Sequence, residues 1–399
     1  MLEPKYTASE QSLGYMYQAR FALLRLLQLP EDTAVLIEKD DDLDFIDSEG
    51  AKSLTSLKHK AIGDRLTDLS TDFWKSIRIW LARYNRDGRI GCNLRFFIFT
   101  TSKVAEDSFL SSFLSTAKPD IHSILPLAED VLARTASQTI LPIKVEFDKL
   151  NEKQRKDFLS RIIIFDDNVR IDEVPNQIRN QYMRTVRPQF RTAVLERLEG
   201  WWNDVVVQLL SKKRTTEVFG RELSDKLSEI ADEFKTDNLP IDFRRAKPEE
   251  GAHPENDDRL FVVQLRTIGI QTNRIQNAIY DYYRAFQQRS SWARENLLLE
   301  GEMEEYEDRL INEWERYRDV ICESLRDDSE EDELLAAGRE LYKWAELNTD
   351  YLRIRDRVSE PYVVRGNYHI LANQHPIPKV YWHPKFLQRI ESILLGNVK

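Results

Sequence analysis

The pattern of apolar and polar positions predicts that the first hundred residues form a small α/β core. Apolar residues recur every three or four positions in "GYMYQARFALLRLLQL", which predicts a helix that ends before Pro30. Alternating apolar residues then predict strands over residues 35–38, 43–47 and 53–59. Ser70 is a good N-cap for a second helix, "TDFWKSIRIWLARY", and "NLRFFIFTTS" indicates a buried strand. This order is typical of a small mixed sheet of three or four strands flanked by helices.

The pattern becomes mainly helical from residue 151 onward. Before that point, "LPLAEDVLARTAS" predicts a helix and "LPIKVEF" a strand, and both are assigned to an N-terminal domain of residues 1–150. Within residues 151–399, an apolar stripe from Met303 to Ile321 has the spacing of a coiled-coil face. The polar segment "RRAKPEEGAHPENDDR" is predicted to be a linker. The second domain is therefore expected to be an α-helical domain for assembly or partner binding.

An acidic stretch lies among the predicted strands and is followed by a basic one. Residues 38–44 hold five carboxylates, and the next strand ends in "LKHK". Residues two apart on a strand share a face, so a continuous strand would align Glu38, Asp40, Asp42 and Asp44. Carboxylates this close repel one another unless a cation neutralises them, and hard oxygen ligands suit Mg²⁺ or Mn²⁺. The stretch therefore indicates a divalent metal site; the alternative is an ordinary acidic β-turn beside solvent-facing lysines.

A lysine next to such a metal site points to phosphodiester hydrolysis. A bound metal ion lowers the pKa of an attacking water, and an ammonium group stabilises the charge that develops on phosphate oxygens. Lys58 is the candidate for this ammonium group, and Glu38, Asp42 and Asp44 are the candidate metal ligands. The spacing alone is compatible with both the metal site and the acidic turn.

Net charge restricts how the chain can bind DNA. The 399 residues are 41% hydrophobic, enough for a sizeable core, but carry a formal net charge of -10. Sequence-independent DNA affinity comes mostly from Lys and Arg, so any contact must be local. The basic side chains that offer such a contact, unless they form an ordinary solvated helix face, are Lys60, Lys75, Arg78, Arg83 and Arg86.

Cysteine content and apolar run length favour a cytoplasmic protein. Cys92 and Cys322 lie far apart, and no secretory leader is recognised at the start of the sequence. The longest apolar runs, such as "RFFIFTT", are much shorter than the roughly 20 residues that a membrane-spanning helix needs. We therefore expect a protein of the reducing cytoplasm that does not cross a membrane.

Four N-terminal motifs together resemble a known nuclease domain. "GYMYQARFALLRLL", "IEKDDDLDF", "LKHK" and "LTDLSTDFWKSIRIWLARY" occur in the order found in the CBASS-associated DNA endonucleases, a divergent branch of the PD-(D/E)XK fold. The resemblance implies a magnesium-dependent DNA endonuclease. It matches Tyr17 and Gln18 to the helix motif, Glu38 and Asp42 to the acids and Lys58 to the catalytic lysine.

One position departs from this family pattern. Ser56 stands two residues before Lys58, where PD-(D/E)XK enzymes have an acid and this branch often has glutamine. A serine hydroxyl is a poor metal ligand. Metal coordination would then depend on Glu38, Asp42 and Asp44.

The rest of the chain, about residues 155–399, resembles effectors of the ABC-three-component systems, which include Lamassu. The motifs are "RLEGWW", "DNLPIDF", "FVVQLRTIGI", "AIYDYYRAFQQRSSW", "VVRGNYHILANQ" and "WHPKF". The whole chain thus resembles the nuclease subunit of Lamassu-type anti-phage and anti-plasmid defence. This implies double-stranded DNA, an SMC-like ABC ATPase subunit and a small third subunit as partners. It also implies inactivity in the complex and activation by release and homo-oligomerisation; the alternative is a catalytically inactive, nuclease-like adaptor that binds DNA or protein.

Two other groups of residues suggest weaker hypotheses. His369, His375 and His383 are candidates for a zinc site, but their spacing fits no standard zinc pattern and no Cys-x-x-Cys pair accompanies them. Trp201 and Trp202 could stack on bases, although large aromatic residues at helical spacing are more typical of a core. Capping and packing are therefore the preferred roles for these residues.

Overall fold

The chain divides into two compact units, each described here by itself. The computed structural model describes residues 8–117 and 120–389, and the units are Met1–Ile230 and Ala231–Lys399. The strands of the first unit are β1 (Ala34–Ile37), β2 (Leu43–Ile46), β3 (Lys52–Lys58), β4 (Arg65–Leu66), β5 (Leu94–Thr100), β6 (Lys103–Val104), β7 (Ile162–Phe165) and β8 (Val218–Phe219). Its helices are α1 (Ala8–Gln28), α2 (Thr71–Arg86), α3 (Ile121–Arg134), α4 (Leu141–Asp148), α5 (Glu152–Ser160), α6 (Val174–Gln181), α7 (Arg191–Leu210) and α8 (Gly220–Glu233), in which the division falls.

The central sheet has six strands in the order β7-β5-β3-β2-β1-β8. β1, β2 and β3 pair antiparallel, β3, β5 and β7 pair parallel, and β8 runs antiparallel to β1. The mixed α/β character of the N-terminal part is confirmed, with more strands than the three or four expected. Both edge strands come from beyond residue 150, where the sequence analysis placed the domain boundary. The assignment to the PD-(D/E)XK fold stays a prediction.

Helices cover both faces of this sheet and fix the position of the acidic hairpin. Phe96 and Phe99 of β5 point to opposite faces, as their odd separation requires. Phe21 of α1 packs on Phe99 with ring centroids 4.8 Å apart, and Trp80 of α2 stacks on Phe96 at 5.2 Å. The hairpin β1–β2 therefore has its side chains within reach of both helices.

The strand predicted at "LPIKVEF" is wrong, because these residues form α4. Ile143 and Phe147 are buried whereas Val145 is 58% exposed. A strand would place all three side chains on one face, but in a helix the first and third are neighbours and the second points away. Pro142 is compatible with the helix because it lies in the first turn.

The second unit is mainly helical, as predicted. Its helices include α9 (Leu260–Thr267), α10 (Thr272–Arg294), α11 (Glu302–Cys322), α12 (Glu331–Leu347) and α13 (Pro361–Ala372). Part of the predicted apolar stripe on α11 is core, since Tyr306, Leu310 and Trp314 are buried. Residues 244–259, the predicted linker, form neither helix nor strand and lie inside this unit. None of the helices in the described residues is long and apolar enough to cross a membrane.

Candidate functional site

Four of the five acidic residues, Glu38 and Asp40 to Asp42, lie in the tight turn that joins β1 to β2, and Asp44 lies in β2. The backbone N–H of Glu38 donates to the Asp42 carbonyl at 3.0 Å, and Glu38 has a φ of 54°, in the left-handed region. A residue other than glycine is uncommon there, so the chain reverses sharply at this point. The strand does not continue through the acids. The single-face row of four carboxylates that a continuous strand would produce is therefore not formed.

Asp42 is held by groups from two neighbouring elements. Its Oδ1 accepts a hydrogen bond from Nε2 of Gln18 on α1 at 3.0 Å. Its Oδ2 accepts from the backbone N–H of Leu57 on β3 at 2.6 Å and lies 3.5 Å from the Ser56 hydroxyl. These donors fix the orientation of the carboxylate beside the end of β3, where Lys58 lies.

Glu38 and Lys58 belong to the same neighbourhood. Burial raises the pKa of Glu38, and repulsion from Asp42 adds to this rise. A side-chain hydrogen bond from Gln18 and the positive charge of Lys58 act in the opposite direction. Gln18 thus interacts with both Glu38 and Asp42, and Lys58 is near enough to influence the pKa of Glu38; we call these four predicted catalytic residues the candidate site.

Asp41 supports the same turn from inside the core, a role that the sequence analysis did not assign. Its side chain is 7% exposed; Oδ2 accepts from Nε1 of Trp80 at 2.5 Å and Oδ1 from the backbone N–H of Asp42 at 3.0 Å. Burial raises the pKa of Asp41 to about 7, with a further contribution from Asp42. The sequence feature that could have indicated this role is Trp80, which lies three residues after Ile77 on the apolar face of α2 and whose indole N–H needs an acceptor when it is buried.

Asp44 lies in a separate cluster of charged side chains. Its carboxylate is fully buried and lies 2.8 Å from Nζ of Lys52, which also contacts Asp40. Asp40 is further paired with Arg83 of α2. Burial raises the pKa of Asp44, and Lys52 opposes that effect. The ammonium group of Lys52 therefore supplies the positive charge that this half of the acidic stretch requires.

The predicted DNA-binding side chains differ in how available they are. Lys60 is paired with Asp72, and Arg83 contacts Asp40 and, at 3.0 Å, Asp87. On the outer face of α2, Arg78 is exposed, Arg86 is 61% exposed although it lies 3.0 Å from Asp87, and Lys75 is half-buried. The accessible part of the predicted basic surface is thus centred on Arg78 and Arg86.

The side chains near the candidate site do not form a cage of protein ligands for a metal ion in the part of the chain that the structure describes. Ser56 is 1% exposed and accepts a hydrogen bond from the Ser76 hydroxyl at 2.8 Å. Within residues 8–117 and 120–389, no three His, Cys, Asp or Glu side chains are grouped as a metal site. Mg²⁺ keeps several waters and is commonly held by one or two carboxylates and substrate phosphates. The candidate site contains two carboxylates, Glu38 and Asp42.

The three C-terminal histidines are not grouped as zinc ligands in the described part of the chain. His369 is buried against Phe261, with ring centroids 5.1 Å apart, and burial lowers its pKa to about 3. His383 is 1% exposed and lies 3.4 Å from Glu331, whereas His375 is exposed. Packing accounts for His369.

Comparison with known proteins gives one informative match. Residues 261–390 match the family model of C-terminal domain 7 of the ABC-three component (ABC-3C) systems. No curated protein matches the chain.

Solved structures that are similar to the chain at a low level include two Cap4 receptors. One is the Cap4 SAVED/CARF-domain containing receptor of Moraxella osloensis, with 14% identity, a TM-score of 0.32 and coverage of 69% of this chain and 68% of that one. The other is the Cap4 receptor of Acinetobacter baumannii with the cyclic trinucleotide 2'3'3'-cAAA, with 12% identity, a TM-score of 0.33 and coverage of 68% and 58%. Similarity at this level supports no argument about fold or function. Residues 261–390, which lie in the second unit, are thus similar to C-terminal domain 7 of the ABC-three component systems.

Proposed function

We propose that this chain is the DNA endonuclease subunit of a Lamassu-type ABC-three-component defence system, and that it hydrolyses phosphodiester bonds with Mg²⁺ or Mn²⁺. The observation that carries the proposal is the convergence of Gln18, Glu38, Asp42 and Lys58 from α1, the hairpin turn and β3. The C-terminal domain match supports the assignment to a three-component system.

Each side chain of the candidate site has a distinct role in this proposal. Glu38 and Asp42 would hold the metal, which when bound supplies a Lewis acid and an activated water. Gln18 and the Leu57 N–H keep the Asp42 carboxylate in one orientation. Little side-chain entropy would therefore be lost when this carboxylate binds the metal. Lys58 donates to a phosphate oxygen as negative charge develops there.

Cleavage of supercoiled plasmid DNA by the purified chain tests the assignment. Lys58→Ala is expected to lower the cleavage rate by about a hundredfold or more, the typical loss for one group that stabilises transition-state charge. Lys103→Ala is the matched control, because Lys103 lies in the same unit and is 69% exposed. Undiminished cutting by Lys58→Ala would refute the proposed role.

The metal is tested by a measurement that does not depend on activity. An ion that binds only the folded state raises the melting temperature, so Mg²⁺ is expected to stabilise the chain. Asp42→Asn should reduce this shift, while Asp47→Asn, in the loop after β2, should leave it unchanged. An equal shift in the Asp42 variant would mean that the ion binds elsewhere.

A catalytically inactive adaptor is the second candidate, and two observations favour it. The Ser56 hydroxyl is bonded to Ser76, and Asp44 is paired with Lys52, so Glu38 and Asp42 are the remaining carboxylates of the predicted ligand set. An adaptor would bind DNA or a partner without cutting. DNA binding without Mg²⁺-dependent cleavage or thermal stabilisation would select this alternative.

The proposal includes control by assembly. Its partners would be double-stranded DNA, an SMC-like ABC ATPase subunit and a small third subunit, with the released chain active as a homo-oligomer. A double-strand break is most simply made by two active sites acting together. Sedimentation of the isolated chain beside a cleavage assay tests this, and a strictly monomeric protein that cuts duplex DNA at full rate would exclude it.

A further inference from the structure

An apolar cleft lies in the second unit, where the end of α10, the turn 295–301, the start of α11 and α13 meet. Its volume is about 550 Å³. The large apolar side chains that line it are Phe286, Trp292, Leu298, Leu299, Met303 and Ile370. Trp292 is 1% exposed and forms part of the core, whereas Phe286 and Leu299 are 51% and 66% exposed. Exposed apolar side chains that cluster around a cleft are typical of interaction sites.

The turn that carries Leu299 is fixed by specific interactions. Asn296 and Gly301 adopt left-handed conformations with φ values of 53° and 76°. The guanidinium of Arg355 donates to Glu302 at 2.7 Å and to the Leu297 carbonyl at 2.9 Å. The Leu299 side chain is therefore presented to solvent from a braced turn.

Unpaired carboxylates lie in the cleft and in a neighbouring cavity on the other side of Leu299: Glu304 lines the cleft, and Glu300 and Glu305 line the neighbouring cavity. Glu300, Glu304 and Glu305 are exposed, and their carboxylates form no ion pair with any residue in the described ranges. Neighbouring charges are already paired: Arg289 lies 2.5 Å from Glu307, and Glu302 is bonded to Arg355.

A cation, Arg309, lines the neighbouring cavity together with Glu300 and Glu305. Arg309 stacks over the Tyr306 ring, 5.5 Å from its centroid, and donates to the Arg353 carbonyl. Because Arg289, the cation that lines the cleft, is paired with Glu307, and Glu300, Glu304 and Glu305 outnumber Arg309, the surface around Leu299 retains net negative charge.

We propose that this cleft binds an amphipathic α-helix of a partner protein, with an apolar stripe flanked by Lys or Arg. Helix-in-groove recognition uses apolar anchors at i, i+3 or i+4 and i+7, and positive flanking residues would complement Glu300, Glu304 and Glu305. A second copy of this chain is a poor occupant, because a two-fold contact would bring the same carboxylates together. The inference extends beyond the candidate site and does not depend on catalysis there.

Two fluorescent helical peptides of about 20 residues, some 30 Å long, test the proposal against the full chain by fluorescence anisotropy. Both carry the same leucine stripe, flanked by lysines in one peptide and by glutamates in the other. The lysine-flanked peptide is expected to bind at least about tenfold more tightly, with an affinity that falls as salt is added. Leu299→Asp should abolish this binding, and the double variant Glu304→Lys, Glu305→Lys should reverse the preference.

Val320→Asp is the matched control. Val320 is 68% exposed and lies on α11, about 24 Å along the helix from Glu304 at 1.5 Å per residue. Its variant should bind the lysine-flanked peptide like the parent chain, and circular dichroism confirms that both aspartate variants are folded.

Three results would overturn the proposal: no binding of the lysine-flanked peptide, equal binding of both peptides, or unchanged binding by Leu299→Asp. A concentration-dependent dimer that is lost in Leu299→Asp would assign the cleft to a second copy instead. None of these measurements involves DNA cleavage, so they leave the nuclease proposal to its own tests.

Discussion

Replacement of Gly366 by alanine is expected to disrupt the packing of α13 against α10. A Cβ atom at this position would lie 2.2 Å from the Asp281 carbonyl oxygen and 2.4 Å from the Ala285 Cβ. Non-bonded carbon atoms at their optimal separation lie about 3.5–4.0 Å apart, so the helices would have to separate by more than about 1 Å. Such overpacking costs about 3 kcal/mol, against which alanine regains about 1 kcal/mol of helix propensity. The expected net loss in the free energy of unfolding is about 2 kcal/mol.

Urea unfolding of the full chain, followed by circular dichroism, measures this loss. Gly200→Ala is the matched control, because Gly200 lies inside α7 and its added Cβ would have nothing within 4 Å. That substitution should stabilise its helix by up to about 1 kcal/mol. The reasoning is refuted if Gly366→Ala is as stable as the parent chain while Gly200→Ala shows its expected gain.

Three further predictions follow from other contacts. Burial raises the pKa of Asp281 to about 6, against the opposing charges of Arg365 and Arg284, so stability should fall by up to about 3 kcal/mol as pH rises from about 4 to 6. Asp281→Asn should remove this dependence in urea titrations, and an unchanged pH profile would contradict it. Trp80→Phe leaves the buried Asp41 carboxylate without its indole donor, and should lower the free energy of unfolding by about 1–3 kcal/mol in thermal or urea unfolding. It should also raise the Mg²⁺ concentration needed for cleavage. A variant as stable as the parent would show that the hydrogen bond from Trp80 to Asp41 does not stabilise the turn. Arg83→Glu should destabilise the fold through Asp40 and Asp87, whereas Arg78→Glu should keep the melting temperature but weaken DNA binding in low-salt gel shifts; normal DNA binding by Arg78→Glu would place the DNA surface elsewhere.

Elements with strong local periodicity could be predicted from the sequence. The apolar stripes of α1 and α2, the alternation of β1, β2 and β3 and the apolar run of β5 are local signals, and the structure confirms each element. The sheet was underestimated because β7 and β8 join it through pairing with residues far away in sequence. β8 is only two residues long and has no recognisable pattern of its own. In α4, Ile143 and Phe147 are four residues apart, a spacing that places both side chains on one face in a strand and in a helix alike. Burial against neighbouring helices then favours the helix.

The candidate site could be predicted as a set of residue types but not as a geometry. The number of carboxylates in residues 38–44 identified Glu38, Asp42 and Asp44 as candidate ligands. Which of these carboxylates lie close together is decided by the chain reversal at Glu38 and by the register of β2 with β3. Lys52 reaches Asp44 because Ile46 pairs with Lys52 and Asp44 with Leu54 across the strands. The sequence contains no local signal for that ion pair.

The pairing of β8 with β1 also constrains how the sheet can be assembled during protein synthesis. The turn and β2 follow directly after β1 and complete the hairpin, but the strand that pairs with the other edge of β1, β8, is encoded about 180 residues later. At about 5–20 residues per second this corresponds to roughly 10 to 40 s of translation. Until then the nascent β1 has an unpaired edge open to other strands. A chain interrupted before residue 218 would retain that open edge, and its hairpin would be a preferred substrate for chaperones or proteases.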